Sequence, residues 1–163
     1  MTQKKGQKGF SLIELLIVVA IIGIIAAIAV PNLLSSRRAA NEGSAQSSVR
    51  TIHSANATYQ ATTGNGEYGD VGDLLAEKLI DPVLGTGAKS GYTFESTPVA
   101  SAPATGDLAK FHATGDPTTD SGVSQSGTRN FCIAEDGVMR GGVGTSKAAS
   151  RAACDALTAM GNQ

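Results

Sequence analysis

Between Glu14 and Arg37 lie 22 residues without a formal charge, and that gap limits the folds open to this chain more than any other feature. From Phe10 to Val30 the chain reads FSLIELLIVVAIIGIIAAIAV, apolar apart from Ser11 and Glu14. As an α-helix the gap spans roughly 33 Å, enough to cross a hydrocarbon layer of about 30 Å. A chain of 163 residues is too small to enclose such a helix on every face. The run therefore predicts a membrane segment. Residues 1–9 (MTQKKGQKG) carry Lys4, Lys5 and Lys8 and no acid, while Arg37 and Arg38 follow the run. The excess of cations before the span favours a cytoplasmic N-terminus, though modestly.

Three readings fit such an N-terminus. One is a cleaved secretory signal peptide, with Ala27-Ile28-Ala29 as its cleavage site. Another is an anchor that holds a domain outside the membrane. The third starts from Glu14. A charged carboxylate near the middle of a membrane helix costs about 2.5–3.5 kcal/mol on insertion scales, and neither a signal peptide nor a plain anchor gains from it. The span has no Lys, Arg or His to pair with it. An amine freed by a cut just before Phe10, on a neighbouring copy shifted along the helix axis, would supply the missing charge. Snorkelling to the interface, or protonation, would also resolve it.

The segment from Gly9 to Ala29, GFSLIELLIVVAIIGIIAAIA, resembles the class III signal of type IV prepilins and pseudopilins. Those families have a short basic leader ending in Gly, then Phe, then Glu at the fifth mature position, matched here by Gly9, Phe10 and Glu14. Gly23 and Pro31 match their later Gly and Pro. The resemblance implies cleavage between Gly9 and Phe10 by the prepilin peptidase, a membrane aspartyl protease, and N-methylation of Phe10. It also implies subunit assembly through Phe10 and Glu14. Gly23 and Ala27 form a small-xxx-small pair that would let helices approach closely.

After Pro31, the residues Ala45, Val49, Ile52, Ala55 and Tyr59 recur at three- and four-residue intervals. This predicts one apolar stripe on a helix that stops near Gly64-Asn65-Gly66. The expected layout is a cleaved leader over 1–9 and a long assembly helix over 10–63. Residues 10–34 would form its transmembrane and filament-core half, and 64–163 a globular head. Pro31, which lacks an amide hydrogen, and Gly23 are the expected kink positions.

In the head, Asp73–Ile80 reads as a short helix ended by Asp81-Pro82. Strand patterns follow at Gly91–Glu95, Leu108–Ala113 and Asn130–Ala134. Asp136-Gly137, followed by Val138–Arg140, signals a hairpin. Residues 96–107 and 114–128 read as surface connections, and the tail from Gly141 holds a helical turn or two. The fold class is α+β: a long N-terminal helix packed on a small antiparallel sheet, as in pilin heads. Cys132 and Cys154 read as one disulfide in an exported chain and as two thiols in a cytosolic one. Pilins frequently carry a disulfide near the C-terminus, so the resemblance favours the bond.

Catalytic and metal chemistry find little support. His53 and His112 lie in different elements with no ligand at metal spacing, and read as surface or helix-face residues. Gly85-Thr86-Gly87-Ala88-Lys89-Ser90 resembles a phosphate loop, but Ala88 stands where the glycine before the lysine belongs, and no apolar strand precedes it. Asp116, Asp120, Glu135 and Asp136 match no calcium loop and read as solvated acids. Asn56-Ala57-Thr58 fits a glycosylation sequon but lies inside a predicted helix. The net charge of -1 gives no electrostatic reason for nucleic-acid binding.

The expectation is a non-enzymatic pilus subunit without cofactor or metal. It would be stored as a single-pass precursor in the inner membrane and become extracellular on polymerising into a helical homo-oligomer. The resemblance implies an assembly ATPase and a platform membrane protein as partners, with adhesion, twitching motility or DNA uptake downstream. A type II secretion pseudopilin, and a soluble exported binding domain with an ordinary signal peptide, are the alternatives.

Overall fold

The computed structural model describes residues 9–144 and 147–161, so most of the expected leader lies outside the described residues. The chain divides into two units, one ending at Ser36 and one beginning at Arg37.

In the first unit the backbone enters helix α1 (Leu12–Ala61), which is assigned without a break through Gly23 and Pro31. Pro31 donates no amide hydrogen, so the carbonyl of Ala27 loses its usual helical partner. Two polar side chains in this stretch are satisfied locally. Asn32 Nδ2 donates to the Ile28 carbonyl at 3.1 Å, and Ser36 Oγ donates to the Asn32 carbonyl at 3.0 Å. The apolar side chains from Leu12 to Leu33 are exposed all round the helix.

The second unit is built on the later turns of α1. Ala45, Val49, Ile52 and Ala55 are buried and Tyr59 is partly buried, as the stripe predicts. Burying Val49 and Ile52 contributes about 2 kcal/mol each. Ser48 and Asn56 share that face. Asn56 Nδ2 donates to Ser96 Oγ at 3.0 Å, its Oδ1 accepts from the Gly69 amide at 3.0 Å, and Ser96 Oγ donates to the Gly69 carbonyl at 2.9 Å. This closed set of buried bonds ties the helix to the sheet and to the segment after it, since any one left unmade would cost about 1–3 kcal/mol. It also removes Asn56 from consideration as a glycan acceptor, because its amide is fully buried.

Helices α2 (Val71–Ala76) and α3 (Pro82–Gly85) follow. Asp70 and Asp73 form a capping box at the start of α2. The sequence reading ends a single helix at Asp81-Pro82, and the structure corrects this. Asp81 accepts from the amides of Val83 and Leu84, and Pro82 occupies the first turn of a second helix, where its missing N–H costs nothing.

Six strands then form one antiparallel sheet in sequence order: β1 (Ala88–Lys89), β2 (Tyr92–Val99), β3 (Lys110–Pro117), β4 (Arg129–Ala134), β5 (Arg140–Val143) and β6 (Thr158–Ala159). In β2, Tyr92, Phe94 and Ser96 face inward and Thr93 and Glu95 outward. Tyr92 packs on Phe131 with ring centroids 5.9 Å apart, and Tyr68 on Phe111 at 4.5 Å. Gly115 lets α1 close on the sheet, because a Cβ there would lie 2.9 Å from Val49 and 3.1 Å from Phe94.

Two segments read as surface connections are corrected. Residues 96–99 complete β2, and Thr114–Pro117 are buried in β3. At β3 and β4 the sheet is covered on both faces, so these two strands, unlike β2, show no in–out alternation of burial. The second cover is the C-terminal tail. Helix α4 (Arg151–Asp155), capped by Ser150, brings Cys154 onto Cys132, and both sulfurs are buried with Ala134 and Ala148.

Candidate assembly site

The N-terminal candidates sit at the start of α1, Phe10 just before it and Glu14 in its first turn. Phe10 is 93% exposed, and Ser11 occupies the cap position, its carbonyl accepting from the Leu15 amide at 3.3 Å. The Ser11 amide donates to Glu14 Oε2 at 2.8 Å. Glu14 therefore stands at the third helical position and satisfies one of the free donors of the first turn. Its negative charge also lies at the positive end of the helix dipole. This partner was missed in the sequence reading, although Ser11-Leu12-Ile13-Glu14 carries the signal for it: a Ser followed three residues later by Glu, before an apolar run. The carboxylate is thus partly solvated by its own helix, which lowers the cost assigned to it above.

Leu12, Ile13, Leu15, Leu16, Ile17 and Val18 continue the exposed apolar surface. A Cβ at Gly23 would meet nothing within 4 Å, so the room at that position is open to another surface. The stretch is long and apolar enough to cross a membrane by length and composition.

Elsewhere the candidates disperse. Among the described residues no group of three or more His, Cys, Asp or Glu side chains could hold a metal ion. Glu135 bonds Arg151 at 3.0 Å, and Asp136 pairs with Arg140 at 2.6 Å. The Arg140 pairing holds the Asp136 carboxyl below the usual carboxylate range. For Glu135, desolvation is the largest influence and pushes upward, but Arg151 and backbone donors together hold it low.

Asp116 is not the solvated acid expected. It is buried at 9% exposure, its Oδ1 meets no hydrogen-bond partner among the described residues, and burial, outweighing the nearby Thr114 hydroxyl, pushes its carboxyl above the usual range. A raised folded-state pKa means that the folded protein holds this proton more tightly than the unfolded chain. Its penalty is therefore absent at low pH and develops as pH rises through the unfolded and then the folded value. Asp116→Asn is accordingly expected to gain stability relative to the parent more at pH 7 than at pH 4. Thermal melts of detergent-solubilised protein at both pH values check this, and an equal or smaller gain at pH 7 contradicts it. His112 is likewise corrected from surface residue to buried residue, at 3% exposure, and burial pushes its imidazole down.

The predicted cysteine pairing is present: Cys132 and Cys154 form a disulfide with Cα atoms 5.8 Å apart.

Comparison with known proteins agrees with the N-terminal geometry. Residues 4–30 match the family model of the prokaryotic N-terminal methylation motif. Over 38 residues the chain is 60% identical to the type IV wide pilus major component PilA4 of Thermus thermophilus, covering 23% of this chain and 29% of that protein. Over 52 residues it is 42% identical to the type IV major pilin protein PilA of Myxococcus xanthus, covering 32% and 24%. Over 92 residues it is 29% identical to the type II secretion system core protein G of Escherichia coli, covering 53% and 61%. The chain thus spans less than two thirds of the length of each of these relatives. No solved structure matches it. The N-terminal segment of this chain, a methylation motif on an exposed apolar helix, is thus similar to that of type IV pilins and of type II secretion system core proteins.

Proposed function

We propose that this protein is a structural subunit of a type IV pilus, stored in the inner membrane and polymerised through its apolar helix. The observation that carries the reading is the match of residues 4–30 to the methylation motif, on a helix whose apolar side chains are exposed all round. Such a surface is stable only in lipid or against other apolar helices. Lipid serves before assembly, and other copies serve afterwards.

In this reading the prepilin peptidase cuts between Gly9 and Phe10, and the new Phe10 amine is methylated. Methylation of an amine leaves its positive charge intact. Glu14 of an incoming copy then pairs with the Phe10 amine of its neighbour, so that neither charge enters the fibre core alone. Gly23 and Pro31 give the helix local freedom to bend during packing. An assembly ATPase and a platform membrane protein supply the work of extraction. The subunit itself performs no catalysis and holds no cofactor.

N-terminal sequencing and mass measurement of the mature chain test the processing step. The expected first residue is a methylated Phe10. A mature chain beginning at Val30 would mean ordinary signal peptidase and a soluble exported domain.

A second reading, a pseudopilin of a type II secretion system, is favoured by one observation. The alignment with core protein G extends over 53% of this chain, into the head, whereas the two pilin alignments cover 23% and 32%. Electron microscopy of sheared cell-surface fibres separates the two, since long surface fibres are expected of a pilus subunit.

A further inference from the structure

In the second unit nine charged side chains are paired within the head. Asp81 meets Lys89, Glu95 meets Lys147, Glu135 meets Arg151, and Asp136 and Asp155 meet Arg140. Among the other charges, two groups of opposite sign are clustered. Arg50, exposed on α1, and Arg129, half-buried on β4, flank a groove of about 310 Å³, with Gln46, Gly141 and Met160 also in its walls. Neither arginine forms an ion pair with a carboxylate among the described residues. Thr158 and Ala159 of the edge strand β6 border the same groove. The two arginines thus make the lining of this groove positive.

At the start and end of α2 stand Asp70, Asp73 and Glu77, all exposed and without a cation partner among the described residues. They lie close enough together to act on one phenol. Tyr59 is held above the ordinary tyrosine value by loss of hydration first, and then by Asp73, Glu77 and Asp70. One surface of the head is thus unpaired and basic, and a different surface is unpaired and acidic.

We propose that the Arg50–Arg129 groove of one copy receives the α2 acidic corner of the next copy, as a head-to-head contact added to the packing of the N-terminal helices. This rests on the filament reading above. A contact between two different patches is heterologous, so its repetition runs on into an open helical array rather than closing into a dimer. Complementary charge at the rim sets register and partner choice, and like charges brought together at the same place oppose docking. The occupant is a second copy because the head itself carries the matching acid, on exposed side chains that form no ion pair among the described residues.

Charge reversal with rescue in the full-length protein tests the contact. Arg50→Glu and Glu77→Arg are chosen because both side chains are exposed and neither residue's side chain takes part in a cap or an internal ion pair. Each single variant is expected to reduce surface fibres about tenfold. The double variant Arg50→Glu/Glu77→Arg is expected to restore at least about half of the parental yield, since it re-forms the pair with its signs exchanged. Equal precursor levels and an intact Cys132–Cys154 bond in all variants establish folding. Parental fibres that persist undiminished in both singles, or a double variant no better than the singles, overturn this contact and leave the filament reading standing. A parent that makes no fibre overturns the filament reading, and this inference with it.

Discussion

Glu14→Val is expected to leave the precursor in the membrane and to lower fibre formation by at least about a hundredfold, the cost of leaving a buried amine without its counter-charge. Insertion itself should become easier, because the substitution removes a carboxylate that costs about 2.5–3.5 kcal/mol near the bilayer centre. The Ser11–Glu14 hydrogen bond makes this variant alone ambiguous, since Val removes both the charge and that bond. Glu14→Gln resolves it. Glutamine at the third helical position still offers an oxygen to the Ser11 amide and so preserves this hydrogen bond. What it lacks is charge. If pairing with a neighbouring Phe10 amine drives assembly, Glu14→Gln also fails to make fibres while its helix start stays intact. Fibres from Glu14→Gln at the parental level would reduce Glu14 to a capping residue and remove the pairing step. The readouts are membrane fractionation for the precursor and electron microscopy of sheared fibres for the product.

Removing the disulfide should have the largest effect on the head. The bond joins residues separated by 22 positions, and closing a loop of that size restricts the unfolded chain by about 3 kcal/mol. For a unit of this size, the double variant Cys132→Ser/Cys154→Ser is expected to melt roughly 10 °C lower. Replacing both sulfurs avoids the lone thiol that a single variant would leave. The tail also supplies the second cover of the sheet, since Cys154 and Ala148 pack on Cys132 and Ala134. Loss of the bond should therefore speed hydrogen exchange in β3 and β4 before it does so along the α1 stripe. Melting by circular dichroism in detergent checks the stability. An unchanged midpoint would mean that the Arg151–Glu135 pair and apolar contacts hold the tail without the bond.

Some of this protein could be read from the chain directly. An unbroken apolar run needs no tertiary information, because a helix without a polar face has only lipid or other apolar helices for surroundings. The stripe from Ala45 to Tyr59 was equally legible, since a 3.6-residue period states which side of a helix meets a core. So was Asp136-Gly137, where Gly137 adopts φ 71° between β4 and β5. The capping role of Glu14 was also written locally, in the Ser-x-x-Glu spacing.

Other features depended on contacts between distant residues. Thr114–Pro117 look like loop by composition, yet β3 buries them, because α1 covers one face of the sheet and the α4 tail covers the other. Polar residues such as Thr114 and His112 become interior only when both covers are in place. The Asn56–Ser96–Gly69 bonds join positions 13 to 40 residues apart, and no local pattern announces them. The start of α3 shows the same division on a smaller scale: Asp81-Pro82 suits a helix beginning as well as a helix end, and burial of Leu84 selected the first. Local periodicity thus determined what each segment could become, because it acts through neighbours along the chain. Which faces were finally closed to water was decided by the second layer laid over the sheet.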